Sequence, residues 1–301
     1  MNETILVTGS DGFVGKNLLE TFLKIKKKVI LICFLKNGTK LPDSLVKSLG
    51  IKIVYGDITR KEDLERVFNE HNIDYVIHLA AIIHSNDLED FINVNIHGTR
   101  NLVEISKRKI KKIIFISTDL VLYSNLVKNY YTETKRAAQE IIKRSGIDYV
   151  ILYPTPIYGK YDWRNFGSLA KVVKKYKIIP YVNCFMQPVN VLDVVDVVIN
   201  CLFSNVKNKE YYLPGKEVLT LKEIFLVIMK KLKLKRRLVP LPMSLFKFLV
   251  FYQEKLLKTP VVRYYQLDKW HKNRIMDYSK TVKELNYKPS SFSKTFKFDS
   301  N

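Results

Sequence analysis

Glycine recurs at every third position in Gly9-Ser10-Asp11-Gly12-Phe13-Val14-Gly15, between an apolar run (Ile5-Leu6-Val7) and a helical pattern (Phe13, Val14, Leu18, Leu19, Phe22, Leu23). No other stretch narrows so far what the chain can fold into. The order reads as a strand, a tight turn and a helix N-terminus. Glycine permits positive φ and close backbone approach, and the unpaired N–H groups of a helix's first turn face an anion. The turn is expected to hold a phosphate.

The spacing is GxxGxxG, one residue longer at its start than the GxGxxG of dinucleotide-binding turns. Further strands are expected over 28–34, 51–55, 75–79 and 113–116, and helices over 62–71 and 90–107. This alternation predicts an α/β fold, a Rossmann-type doubly wound parallel sheet. The second strand's end usually carries a carboxylate for the adenosine ribose. Here it reads Ile32-Cys33-Phe34-Leu35-Lys36, so Lys36 is placed to face a 2′-phosphate, which leans the NAD-or-NADP choice toward NADP. Ala80-Ala81, after the fourth strand, leaves room for a ligand where open α/β sheets bind theirs.

The 301 residues suffice for one large domain or two joined ones, and 47% apolar with 27% charged residues is ordinary for a globular chain. Three scattered cysteines (Cys33, Cys184, Cys201) give no disulfide framework, and the five histidines show no metal spacing, so a reducing, cytoplasmic setting and no metal are expected. With the first strand expected so near Met1, no signal peptide is expected, and since no run reaches roughly 18 apolar residues, no membrane span is expected either. The net charge of +22 lies in short lysine runs without aromatic interleaving, read as solvated helix faces rather than a nucleic-acid surface. Some of that charge could attract a phosphorylated substrate.

Chemistry is expected in the next segment. The strand ending at Ile116 runs into Ser117-Thr118-Asp119, and a helix starting near Tyr130 carries Tyr131 and Lys135 one turn apart on one face. An ammonium beside a phenol lowers the tyrosine pKa from about 10 and readies it for proton transfer. The Thr118 hydroxyl could orient a substrate oxygen.

These motifs together resemble the extended short-chain dehydrogenase/reductase family, also called the NAD-dependent epimerase/dehydratase family. The matches run from Thr8–Gly15 through Gly56-Asp57, His78–Ala81, Asn93–Thr99, Ser117-Thr118, Tyr131/Lys135 and Pro154–Gly159 to Val189–Val194, Asp277–Ser279 and Leu285–Pro289. The resemblance implies a nicotinamide dinucleotide lined by Gly9, Asp11, Gly12, Phe13, Val14 and Gly15, by Lys36, and by Asp57 and Ile58 near the adenine. It adds Leu79, Ala80 and Ala81 against a ribose, with Ser117, Pro154 and Ile157 further along. Asn95 would support the active-site helix, Lys135 would bind the nicotinamide ribose, and Tyr131 would exchange a proton with substrate. Val189–Val194 looks like the family's late strand. Ser117 to Leu122 is similar to the Ser-Thr-Asp run of dTDP-4-dehydrorhamnose reductases, which selects Thr118 over Ser117.

Three departures concern the substrate. Only twelve residues separate Thr118 from Tyr131, Met186-Gln187-Pro188 lacks an arginine for a diphosphate, and Tyr153 stands where the family carries arginine. The expected activity is NAD(P)-dependent redox chemistry on a nucleotide-linked sugar, with 4-keto-sugar reduction favoured. The alternatives are NDP-sugar 4-epimerisation, reduction of a steroid- or flavonoid-like ketone, and a non-catalytic cofactor-binding subunit. The expected division is a dinucleotide-binding domain over 1–160, a late return near 188–204, and a substrate domain over 161–301. A homodimer is a family expectation. Helices are also expected over 165–176, 221–232 and 244–257. The last, rich in phenylalanine and leucine, reads as a core or substrate-lid helix in preference to a membrane-surface one.

Overall fold

The computed structural model describes residues 2–25, 27–123, 129–256, Leu267 and 275–298. Lys26 of the first lysine run, part of the Thr118–Tyr131 connection (124–128) and Leu257 lie outside the described residues. The chain makes β1 (Glu3–Thr8), β2 (Val29–Leu35), β3 (Lys52–Tyr55), β4 (Tyr75–His78), β5 (Lys112–Ile116) and β6 (Tyr149–Pro154). Short strands β7 (Ile157–Tyr158), β8 (Ile178–Tyr181), β9 (Phe185–Met186) and β10 (Val189–Asn190) follow, then β11 (Lys209–Leu213), β12 (Leu219–Thr220) and β13 (Arg237–Pro240). The helices among the described residues are α1 (Phe13–Phe22), α2 (Asp43–Leu49), α3 (Lys61–Glu70), α4 (Leu88–Phe91), α5 (Gly98–Ser106), α6 (Tyr130–Lys143), α7 (Phe166–Lys175), α8 (Val191–Phe203), α9 (Leu221–Leu232), α10 (Met243–Leu256), α11 (Ser279–Leu285) and α12 (Phe292–Thr295).

Seven strands form one parallel sheet in the order β3-β2-β1-β4-β5-β6-β11. The order reverses between β1 and β4, the switch point where open α/β sheets bind ligands. Both faces are covered, and alternate side chains of each strand enter opposite cores. Ile5, Val7, Cys33 and Ile114 pack with α1, α2 and α8, while Leu6, Ile32, Val76 and Phe115 pack with α3, α5 and α6. A third apolar cluster, including Tyr158, Phe166, Ile224 and Phe292, lies among α7, α9 and the short strands.

Three elements differ from the sequence reading. The stretch read as a late strand, Val189–Val194, is strand only over Val189–Asn190. There the Asn190 side chain accepts the Leu192 N–H at 2.9 Å and caps α8, ending the strand by starting a helix. The sheet's outermost strand, β11, follows that helix, beyond the expected 188–204 return. Of α10, whose apolar residues suggested a core or lid helix, only Phe246 and Val250 are buried.

Candidate active site at the strand ends

Because all seven strands run parallel, their C-terminal ends share one edge. That edge gathers residues far apart in sequence: the Gly9–Gly15 turn after β1, Lys36 after β2, Asp57 and Ile58 after β3, Leu79–Ala81 after β4, and Ser117 and Thr118 after β5. Pro154 closes β6, and Ile157 begins β7 in register with Val189.

The glycine turn is shaped by contact as much as by conformation. Gly9 has φ of +70°, and a Cβ there would lie 2.7 to 2.9 Å from the Leu79 and Ala80 backbone. A Cβ on Gly15 would stand 2.5 Å from the Gly9 carbonyl oxygen and Ser10 Cα, whereas one on Gly12 meets only Gly9 O, at 3.1 Å. The Gly12 N–H donates to Gly9 O at 3.1 Å, and α1 begins from Gly12 with no side-chain cap. The first-turn N–H groups are therefore left for an anion, in a cradle that side chains at Gly9 and Gly15 would fill. These residues fit the pyrophosphate of a dinucleotide.

Around the adenosine end, the Asp57 carboxylate accepts the Thr59 N–H at 2.9 Å and its hydroxyl at 2.8 Å, and the Lys36 ammonium lies 3.5 Å away. Burial opposes ionisation of Asp57, but the Thr59 bonds and Lys36 outweigh it and hold the carboxyl below its ordinary value. Ile58 is buried under α5.

A chain of neutral hydrogen bonds runs beneath the turn to the helix bearing Tyr131 and Lys135. Thr99 donates its hydroxyl to Asn95 O at 2.7 Å and so accepts from His78 Nε2–H at 3.0 Å. That leaves His78 Nδ1 to accept the Thr8 hydroxyl at 2.8 Å, while Thr8 Oγ1 accepts the Ala80 N–H at 3.3 Å. This assigns one imidazole tautomer. Burial, followed by the Lys135 charge, lowers the His78 pKa to about 3, so the ring stays neutral. Asn95 extends the chain: its Nδ2 donates to Thr134 Oγ1 at 3.0 Å and to Ile82 O at 3.1 Å, and its Oδ1 accepts the Ile82 N–H at 2.9 Å. Asn95 sits in a π-helical turn, Ile92–His97, between α4 and α5.

At the end of β5 the Lys135 ammonium donates to Ile116 O at 2.6 Å and lies 3.8 Å from the Phe115 ring centroid. Thr118 is buried, donates to Asp119 Oδ1 at 3.3 Å and accepts the Leu120 N–H at 3.3 Å. The Ser117 hydroxyl donates to Gln139 Oε1 at 3.1 Å. A lysine-lowered phenol pKa was the sequence expectation; burial and then Asp119 instead push the Tyr131 pKa up. Burial likewise lowers the Lys135 pKa to about 7. For both groups burial is the largest cause, because it penalises the charged form. Sequence reasoning missed Thr8, Thr99, Thr134 and Gln139 as supports. Thr134 was the most accessible of them, since it stands next to Lys135 and one turn after Tyr131.

Known proteins are similar to this chain in sequence and in fold. The family model described as "NAD dependent epimerase/dehydratase family" matches residues 5–204. The chain is 26% identical over 197 residues to sterol-4-alpha-carboxylate 3-dehydrogenase of Saccharomyces cerevisiae, covering 57% of this chain and 56% of that protein. It is 28% identical over 229 residues to UDP-glucose 4-epimerase of Vibrio cholerae, covering 67% of each. The chain spans about half the length of the curated relatives it matches. Its fold is also that of the Bordetella bronchiseptica enzyme WbmG, solved in complex with NAD and UDP, with TM-score 0.77, 17% identity, and coverage of 98% of this chain and 93% of that one. With two thirds of its length under the family model and the glycine turn and strand ends gathered at one edge, the chain belongs to the NAD dependent epimerase/dehydratase family.

Proposed function

We propose that this protein is an NAD(P)-dependent oxidoreductase or epimerase acting on a nucleotide-linked sugar, and that reduction of a 4-keto sugar is its reaction. The observation that carries the reading is the Lys135 ammonium on Ile116 O, which fixes the Tyr131 helix against the strand end that carries Thr118. In this reading Gly9, Asp11, Gly12, Phe13, Val14 and Gly15 hold the pyrophosphate, while Lys36, Asp57 and Ile58 line the adenosine. Leu79, Ala80, Ala81, Asn95, Ser117, Pro154 and Ile157 line the rest of the cofactor. A nicotinamide dinucleotide held by these residues would supply hydride to a substrate carbonyl carbon. Thr118 orients the carbonyl oxygen by hydrogen bond, and the neutral Tyr131 phenol gives that oxygen its proton, so the carbonyl becomes an alcohol and the phenol a phenolate. Lys135 stabilises the phenolate and holds a ribose hydroxyl. The high phenol pKa suits a proton donor in its resting state, as reduction requires.

Residues 1–160 with a return through the later chain form the dinucleotide-binding part of this proposal, and the remainder forms the substrate part. Epimerisation is the nearest alternative, supported by the Vibrio cholerae relative. Reduction of an apolar ketone is favoured by a separate observation: Ile83, close after Ala80-Ala81 in the chain, and Leu122, close after Thr118, are exposed aliphatic residues. The yeast relative, named for a sterol substrate, points the same way.

Tyr131→Phe is expected to cut turnover by roughly 10²–10⁴-fold with cofactor affinity nearly unchanged, as removal of a general acid does. Full activity in the variant would reject the assignment. Ligand-induced thermal shifts with UDP-, dTDP- and GDP-sugars identify the substrate class, and silence across them would favour the apolar ketone. For the cofactor, NADPH is expected to bind more tightly than NADH, because the end of β2 offers an ammonium and no carboxylate. Fluorescence titration of wild type and Lys36→Ala checks this, and a preference for NADH that survives the substitution rejects it.

A further inference from the structure

We propose that α10 is a membrane-surface helix that lies with its outer face on an anionic lipid bilayer. The helix carries two apolar stripes, and packing among the described residues accounts for one. Phe246 and Val250, one turn apart, enter the third apolar cluster. Leu245, Phe248, Leu249, Tyr252 and Leu256 follow the spacing i, i+3, i+4, i+7, i+11 and so lie within about 100° of arc, on a face about 120° from the buried pair. They are 44% to 79% exposed. Phe248 and Tyr252 lie against each other, with ring centroids 4.6 Å apart, and widen the patch into one surface. An outward stripe of large side chains along one helix marks an interaction surface, where isolated exposed leucines do not.

Charge selects the occupant. Lys255 borders the stripe on the Phe248 side. The segment leading into the helix carries Lys230, Lys231, Lys233, Lys235 and Arg237, all exposed. A second copy would set one chain of net charge +22 against another, whereas an anionic bilayer satisfies both the cations and the apolar stripe. The helix has 14 residues, about 21 Å, and no described helix is long and apolar enough to cross a membrane, so it lies on the surface and does not span. This inference does not depend on the reaction proposed above.

The test is co-sedimentation of the full chain with vesicles of pure phosphatidylcholine and with vesicles of phosphatidylcholine mixed with phosphatidylglycerol. The chain is expected to partition onto the second and to leave the first largely unbound. Phe248→Ser combined with Leu249→Ser should weaken that binding about tenfold or more. Thermal unfolding should stay unchanged, because both side chains are exposed. Three results overturn the proposal. One is no binding to the anionic vesicles. Another is equal binding by wild type and variant, which assigns the affinity to diffuse lysine charge. The last is a vesicle-free dimer, seen by sedimentation velocity, that the variant dissociates.

Discussion

Lys135 holds its ammonium against a backbone carbonyl and an aromatic face, and that setting controls how the residue titrates. Burial lowers its pKa from the ordinary 10.5 to about 7. Between those values the unfolded chain binds a proton that the folded one does not, so this residue's contribution to stability rises with pH across that window. Below about pH 7 both states are protonated and the full cost of burying the charge remains. Lys135→Met removes the group. Its stability advantage over wild type, measured by urea denaturation, should therefore be largest near pH 7 and shrink toward pH 10; a gap that widens with pH would reject the assignment. The identities of Thr118, Tyr131 and Lys135 were legible in the sequence because one helical turn and one strand end fix their neighbourhood. Their protonation was not legible, since it depends on desolvation by residues distant in the chain. The Thr8–His78–Thr99–Asn95 relay was hidden for a related reason: its Thr8–His78 bond joins residues 70 apart and exists only in the β1–β4 register.

The β1–turn–α1 element was readable almost completely, because glycine spacing, an apolar run and helical periodicity all bear on ten residues. Its tolerance to substitution is uneven. Gly9→Ala meets a left-handed φ and the Leu79–Ala80 backbone together, so it should lose several degrees of melting temperature as well as cofactor binding. Gly12→Ala has no strained φ and a single 3.1 Å neighbour, so it should keep its fold and lose chiefly cofactor affinity. Thermal melts and cofactor titration of both variants check the contrast, and equal melting temperatures would reject it. The helix expected over 90–107 was also found, but as three segments, and periodicity could not announce the π-helical turn inside it. Gly98 N–H donates to Asn93 O, five residues back. The turn holds one residue more than an α-helix of the same length, so deleting one residue there should close it into an α-helical turn and leave α5, with Thr99 on His78, in register. The two-residue strand at Val189–Asn190 was overread because valine runs suit strands and buried helices alike.

Across the whole molecule the doubly wound parallel sheet was legible from alternation. Its seventh strand was not, since Lys209–Leu213 mixes charged and aromatic residues and gains its apolar face only beside β6. The sheet's two edges differ in chemistry. At the strand ends stand the glycine turn, the alanines and the neutral relay. At the strand starts, ion pairs join neighbouring strands: Glu3–Lys27 at 2.7 Å across β1 and β2, Asp74–Lys111 at 2.9 Å beside β4 and β5, and Asp148–Lys207 at 3.4 Å beside β6 and β11. Each is solvated and worth at most about 1 kcal/mol. On the same edge Lys112 buries its ammonium and donates to Cys201 O at 2.9 Å and Ser204 O at 2.7 Å, closing the C-terminal end of α8. In evolutionary terms this divides the molecule's freedom. Residues at the starting edge can drift and be exchanged for thermal adaptation while the other edge acquires a new substrate, because among the described residues the side chains named at one edge are not those named at the other.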